Sequence, residues 1–394
     1  MTTMRNTPLT PLAILATRVV SFAGDSSETL HAAVSAGIDG MSYQSSSVYT
    51  VSDDHTEASP ILAAPMALLG TTRAQRLSEL LVKVLVPLMS QTYREEGLAP
   101  YVCLLLSLET ERHIRALDID FESIRHSLCQ VVPGFIVDRV ELVPYHRGGT
   151  AALMRLQQRL ADDPAGQAIF CGADSLINAL TYQTLAEAGA LATENHGSGL
   201  VPGEGAAALL LQRQDRCRAQ GQNYLAEITG LASVPEPQAG RAGQQPMEGL
   251  AQALRQATAT QPALINRAAT LLLGHAQGKA DDFEWHQTER QLWPIRLDVR
   301  QRVAMMLGEI EAPVPEAPNK PHLLNLAQVI GETGAAALPL QLAVACEQFR
   351  FEARLARFGH PSPRPVLVAE TGDYPVLETR LESPATKYAK DSRS

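Results

Sequence analysis

The sequence predicts an α/β protein of two linked halves with layered sheets, and three observations predict it. β-type runs alternate with segments of helical periodicity up to about residue 213, and the alternation starts again at Tyr224. Between them lies the polar stretch QDRCRAQGQ, which places the boundary near residues 213–223. The third observation is bulk: 394 residues with 45% hydrophobic and 19% charged describe a globular chain able to bury a large core. The expected organisation is an N-terminal half over 1–215, a C-terminal half over 216–382, and a polar, disordered tail over 383–394.

The elements follow in order. Ala13–Val20 reads as a buried first strand. A turn and helix follow, with Asp25 or Ser26 as N-cap and Glu28 in the first turn. Residues 71–91 carry apolar positions at helical spacing, Tyr101–Leu106 is a β-type run, and a helix is expected through residues 121–132. A strand over Ile136–Val143 leads through Gly148 and Gly149 into a helix marked by Leu153, Leu156 and Leu160. Next come a strand at 167–172, a helix over 176–189 and a strand at about 205–212. The second half reads as a strand at 224–231, a Pro/Gly-rich loop, a helix over 247–258, a strand at 269–273 and a helix at 282–292. Residues 334–349 are apolar almost all round, as a buried helix is. Two closing strands are expected at 365–370 and 374–381. No short-period repeat is visible.

A net charge of −9 argues against nucleic acid or an anionic membrane as the main partner. No apolar run approaches the roughly 18 residues of a membrane span. The N-terminal run PLAILATRVV is short and contains Arg18, so it reads as a strand and not a signal peptide. Cys103, Cys129, Cys171, Cys217 and Cys346 are scattered without CxxC spacing, which fits reduced thiols in the cytoplasm. Cys171, inside AIFCGA, reads as a buried strand thiol. No P-loop, GxGxxG, GxSxG or HExxH is present, and no cofactor is expected. The cluster Asp281, Asp282, Glu284 and His286 reads as a capped helix start, with Asp282 as N-cap, and not as a metal site. The acidic run at 118–122 reads as a solvated face.

The junction YHRGGTAALMRL, residues 145–156, raises the functional question. Strand, tight turn and helix present a nucleophile at a helix N-terminus, where the dipole lowers a thiol pKa. This turn holds no Cys and no Ser. Thr150 has a hydroxyl but no obvious base, and it reads as a helix N-cap.

Several blocks resemble the β-ketoacyl-acyl-carrier-protein synthases, the condensing enzymes of the thiolase fold. The clearest runs over residues 172–213, with Gly172-Ala173-Asp174 at a strand end and Pro202-Gly203-Glu204-Gly205-Ala206-Ala207 at a strand entry. ILATRVVSFAGDSSETLHAAVSAG resembles the family's opening, RAQGQNYLAEITGLA its re-entry into the second half, and GETGAAALPLQLAVAC its G-H-T-G-A-A-G block. The resemblance implies a thiolase-like αβαβα five-layer fold of two similar halves, normally dimeric. It also implies a Cys nucleophile, two imidazoles, usually a lysine, and a glycine-rich oxyanion loop. Alignment through Leu153 puts the nucleophile position at Gly149, which has no side chain. His275 falls near the first imidazole position, and Glu332 replaces the second. The lysine position falls at about Ala327, with Lys320 the nearest lysine, and Glu370-Thr371-Gly372-Asp373 stands in place of the glycine-rich loop.

The scaffold is therefore expected to survive without the condensing chemistry. One reading is a non-catalytic protein that binds proteins: a silent heterodimer subunit like a chain-length factor, or an adaptor or chaperone for a client such as a type VI secretion effector. The partner is then a second copy, a related thiolase-fold chain, a client or an acyl carrier protein. A second reading is an active or rewired 3-oxoacyl synthase or acyltransferase using Thr150, His275 or Glu332. A third is an acyl-chain or acyl-carrier binding module without turnover. An apolar tunnel reaching Gly149 favours the second and third readings, and a filled one favours the first.

Overall fold

The computed structural model describes residues 10–51, 57–92, 100–106, 121–144, 149–163, 166–234, 249–274, 279–294, 299–309 and 320–370. In the first half the elements are β1 (Leu12–Ser21), α1 (Ser27–Ala36), β2 (Ser42–Tyr49), β3 (Ser59–Ala63), α2 (Arg73–Thr92), β4 (Tyr101–Leu106), α3 (Phe121–Val131), β5 (Val140–Pro144), α4 (Gly149–Asp162), β6 (Gln167–Ser175), α5 (Ala179–Glu187), β7 (Glu204–Arg213) and α6 (Gln214–Gln220). The second half contributes β8 (Ala226–Ile228), α7 (Gly249–Ala257), β9 (Thr270–Leu273), α8 (Lys279–Leu292), α9 (Val299–Met306), β10 (His322–Asn325), α10 (Ala327–Ile330), α11 (Ala337–Ala356) and β11 (Val366–Ala369).

The larger sheet runs β5-β4-β6-β7-β1-β8, and a smaller one runs β10-β9-β11. In the larger sheet β4, β5 and β6 are parallel, and β7 lies antiparallel to both β6 and β1. In the smaller sheet both pairings are parallel. Three successive strands are arranged alike in each: β5-β4-β6 in one and β10-β9-β11 in the other. The two halves thus repeat one topology. β8 is an exception to the division, because it pairs with β1 of the first half, Leu12 opposite Ile228.

Packing produces five layers. α2 covers one face of the larger sheet, burying Leu77, Leu80, Leu81, Val84, Leu85 and Leu88 against Leu104, Ile169, Ala208 and their neighbours. α4 and α11 cover the other face, where Leu153, Leu156, Leu160 and Leu338 meet Leu105, Phe170 and Leu209. α11 also backs the smaller sheet, with Leu340, Ala343 and Val344 against Leu272. α7 and α8 close its far side through Leu250, Leu254, Trp285, Trp293, Leu271 and Leu367. A fully buried Leu side chain contributes roughly 1.5–3 kcal/mol, so these two-sided layers carry most of the stability. α11 is buried at every position from Ala337 to Gln348, as its all-round apolar sequence predicts.

Several expectations are corrected. The strand expected over 136–143 is a 3₁₀ turn at Val137–Arg139 followed by β5 at Val140–Pro144. Arg139 of this turn stacks on the Tyr101 ring at the start of β4, 5.0 Å from its centroid. α8 begins at Lys279, so Asp282 is inside the helix and does not cap it. Its neighbour Glu284 is buried and accepts a hydrogen bond from the Leu250 N–H, 3.1 Å, at the start of α7. The 176–189 helix starts only at Ala179, with Asn178 as N-cap accepting from the Thr181 N–H at 2.9 Å. Ser26, not Asp25, caps α1. The hairpin β2–β3 was not expected: SYQSSSVY is serine-rich and lies mostly exposed, so it carries no apolar alternation. The second closing strand at 374–381, the tail at 383–394 and Asp118–Asp120 of the acidic run lie outside the described residues.

Candidate functional site: a helix N-terminus closed by a carboxylate

α4 starts at Gly149, at the junction singled out in the sequence. The first turn of any helix leaves backbone N–H groups without intrahelical acceptors and carries the positive end of the macrodipole. Here Glu370, the first residue past β11, satisfies two of them. Its Oε1 accepts from the Gly149 N–H at 3.0 Å, and its Oε2 accepts from the Thr150 N–H at 2.9 Å and the Thr150 hydroxyl at 3.0 Å. The cap comes from 221 residues along the chain, so tertiary structure and not local sequence supplies it. Thr150 is therefore not the N-cap expected of it. It lies within the first turn and donates its hydroxyl to the carboxylate.

Gly149 is buried, and the space its side chain would need is taken. A Cβ built there would sit 2.9 Å from Glu370 Oε1, 2.9 Å from Leu338 Cδ2 and 3.2 Å from Leu338 Cβ. The carboxylate and the start of α11 fill the space a side chain at position 149 would occupy. Glu370 was noted in the sequence only as the residue standing where a glycine-rich loop belongs, and nothing there signalled its contact with α4.

Glu332 is 3% exposed and is tied into its own turn. Its N–H donates to Val201 O at 2.7 Å, its carbonyl accepts from the Gly203 N–H at 2.9 Å, and its Oε1 accepts from the Gly334 N–H at 2.9 Å. This carboxylate shapes the approach to α11 and brings no hydrogen-bond donor for an oxyanion. Lys320 pairs with Glu289 and lies 6.0 Å from the Trp285 ring, at α8. Its ammonium is thus committed to α8. His275 lies outside the described residues; β9 ends two residues before it, at Leu273.

The blocks that carried the resemblance build a buried polar frame. Asp174, fully buried, accepts from Arg73 at 2.8 Å, from the Ser175 N–H at 2.8 Å and from the Ala335 N–H at 3.2 Å. Gly334, at φ +47°, lies so close that a Cβ would be 2.2 Å from Asp174 Oδ2. Glu204, also fully buried, pairs with Arg76 through two nitrogens and accepts from the Ser175 hydroxyl at 2.8 Å and the Met66 N–H at 2.6 Å. These two ion pairs bolt α2 and the α11 turn to the ends of β6 and β7. Asp174 and Glu204 are thus buried anchors of the framework.

A cavity of about 810 Å³ touches this site from the second half. Its wall includes Thr150, Leu153, Leu338, Leu342, Ile228 and Glu370. Access therefore reaches Thr150, while Gly149 itself is closed off. Among the described residues no group of three His, Cys, Asp or Glu side chains could hold a metal ion. Burial pushes the Cys103 and Cys346 thiols up to about 12 and Cys171 higher still, which keeps all three protonated and unreactive near neutrality. Among the described residues no helix is long and apolar enough to cross a membrane.

No protein-family profile matches the sequence, and no curated protein matches it significantly. Solved structures do match. The ishigamide ketosynthase/chain length factor superposes with a TM-score of 0.57 at 14% identity, covering 92% of this chain and 93% of that one. A β-ketoacyl synthase from Burkholderia phymatum gives 0.57 at 16% identity, over 87% of each chain. A type II polyketide acyl-carrier protein in complex with its ketosynthase bound to the hexaketide gives 0.60 at 13%, over 93% and 94%. With the repeated sheet topology and the five packed layers, these matches show that the chain has the thiolase-like fold of the β-ketoacyl synthases.

Proposed function

We propose that this protein is a non-condensing member of the ketosynthase-like group that works by association with other proteins. The observation that carries the reading is the Glu370 carboxylate seated on the first turn of α4. It consumes the N–H donors of Gly149 and Thr150, and with Leu338 it fills the nucleophile's place. The Thr150 hydroxyl does have a carboxylate partner, but that carboxylate already accepts two backbone N–H groups, and those same N–H groups are then withheld from any oxyanion. A rewired acyltransferase at this position therefore lacks both a free base and a free electrophilic donor.

Partnering is proposed through β5. It ends the larger sheet and hydrogen-bonds only to β4 among the described residues, with Glu141 exposed. An unpaired edge is a template for another strand. The partner is a second copy or a related thiolase-fold chain, and the resulting pair presents its surface to a client such as a secreted effector or an acyl carrier protein. The similarity to a ketosynthase/chain length factor and to a ketosynthase complexed with its carrier protein supports this. The division of the chain into 1–215 and 216–382 belongs to the same proposal, as does a cytoplasmic location. A second reading, an acyl-binding module without turnover, is favoured by the cavity that reaches Thr150. Light scattering on the purified chain, alone and co-expressed with a related thiolase-fold chain, is expected to give a two-chain mass that Leu142→Asp lowers to one. A well-folded single chain under both conditions contradicts the proposal.

A further inference from the structure

We infer that α9 is a docking helix whose occupant is an acidic amphipathic helix of a partner protein, seated along an apolar stripe that arginines border on both sides. α9 has eight residues, Val299–Met306, and none of them is buried. A helix shorter than about 12–15 residues is marginal in water, and packing of an apolar face is what holds most protein helices. α9 has such a face. Val299, Val303, Met306 and Leu307 recur at the i, i+4, i+7, i+8 spacing that lines one side of a helix. They are 69%, 49%, 84% and 66% exposed. The stripes of α2 and α4, by contrast, are pressed against the larger sheet. Monomeric proteins seldom turn a contiguous apolar stripe to water, and those that do use it for contact. The far end of this one is fixed by the backbone. The Leu307 N–H donates to the Val303 carbonyl at 2.9 Å, the Gly308 N–H to the Met305 carbonyl at 3.1 Å and the Glu309 N–H to the Ala304 carbonyl at 2.9 Å. This is a Schellman closure, and Gly308 takes its left-handed position at φ +72°.

Charge selects the occupant. At about 100° per residue, Arg300 and Arg302 fall on opposite borders of the stripe. Both are exposed, and neither forms an ion pair among the described residues. Glu309, past the helix end, is the only carboxylate in residues 299–309. A second copy of α9 laid along this seam would set arginine against arginine within about 12 Å of helix, so self-pairing is disfavoured. A membrane surface also takes an apolar stripe bordered by cations. Such a surface is anionic over its whole extent and would face much of a chain whose net charge is −9, whereas a single helix meets α9 alone. An acidic amphipathic helix matches apolar to apolar and carboxylate to guanidinium, which sets specificity and encounter rate more than raw affinity. A contact along two turns belongs to the small, transient class of interfaces. The inference rests on the reading of the protein as one that works by association, but it places the client on α9, apart from the pairing through β5.

The test is fluorescence anisotropy of the full chain with a labelled synthetic helical peptide whose leucine stripe is bordered by glutamates. Saturable binding is expected. Val303→Asp, and Arg300→Glu with Arg302→Glu, should each weaken it about tenfold or more. The same peptide with lysine borders should bind the charge-reversed variant and not the wild type. These side chains are exposed, so the variants should keep the wild-type denaturant midpoint. Hydrogen–deuterium exchange gives a second reading: the α9 amides should exchange rapidly in the chain alone and about tenfold more slowly with the glutamate peptide bound. Leu142→Asp, which breaks the proposed β5 pairing, should leave peptide binding unchanged, so the two proposals fail separately. No binding, binding that the α9 substitutions leave intact, or equal binding of both peptides to the wild type overturns the inference. Capture by phosphatidylglycerol vesicles that Val303→Asp abolishes would assign α9 to a membrane, and a two-chain mass that Val303→Asp lowers would assign it to a second copy; either result also overturns it.

Discussion

Gly149→Ala probes the closed helix N-terminus with a single carbon atom. In an ordinary helix Gly→Ala stabilises by up to about 1 kcal/mol, less in the first turn. Here the added Cβ meets Glu370 Oε1 at 2.9 Å and Leu338 at 2.9 and 3.2 Å, where relaxed carbon contacts lie at about 3.5–4.0 Å. Leu338 Cδ2 can rotate away, but its Cβ moves only if α11 moves. Overpacking of this kind costs about 1–3 kcal/mol. Displacing the carboxylate also weakens its hydrogen bonds at 3.0 and 2.9 Å to the Gly149 and Thr150 N–H groups, and bonds to charged groups contribute about 1.5–3 kcal/mol each. The sign is therefore reversed: Gly149→Ala is expected to destabilise by roughly 1–3 kcal/mol, the packing effect outweighing helix propensity. The assay is the denaturant midpoint at unchanged m-value. In a Glu370→Ala background the same substitution should cost less, with a coupling of about 1 kcal/mol, because one of the two clashing groups is gone. A midpoint equal to or above wild type, or strict additivity of the two substitutions, would refute the reasoning.

Arg76→Ala leaves the fully buried Glu204 without its guanidinium and should cost about 3–5 kcal/mol, while Arg213→Ala, which breaks a pair with the exposed Asp215, should cost no more than about 1 kcal/mol; thermal or denaturant unfolding separates them. Iodoacetamide at pH 8 should modify Cys129, the one thiol that is not buried, well before Cys103 and Cys346, whose thiols burial holds near 12; peptide mass spectrometry reads the order, and equal rates in the native chain would contradict the packing. Glu284→Ala removes the acceptor for the Leu250 N–H and should cost about 1 kcal/mol, the loss typical of a helix cap, read in the same unfolding assay.

Much of the fold was legible because burial writes itself into composition. β1, β4, β6, β7 and α11 are covered on both sides, and their apolar runs announce them. The exposed β2–β3 hairpin left no such trace, and the strand expected from Ile136 was shortened by a 3₁₀ turn that β-type residues disguised. That position 149 carries no side chain was legible directly from the sequence. What fills its place was not, because Glu370 and Leu338 reach α4 from distant segments and local patterns carry no information about that meeting. The Asp281–His286 cluster read as a helix cap, and the structure gives Glu284 a capping task on the neighbouring helix instead. The motifs that pointed to the fold family, Asp174 and Glu204, turned out to hold ion pairs with α2, a role that spacing alone did not suggest.

The most direct test of the central claim is intact-mass measurement of the purified chain after incubation with a short-chain acyl thioester, followed by peptide mapping. With Glu370 seated on α4 and no side chain at Gly149, the mass is expected to stay unchanged and no acyl group should appear on residues 149–163. A stable adduct on Thr150 would show that the hydroxyl paired with Glu370 is a working nucleophile, and would contradict the account.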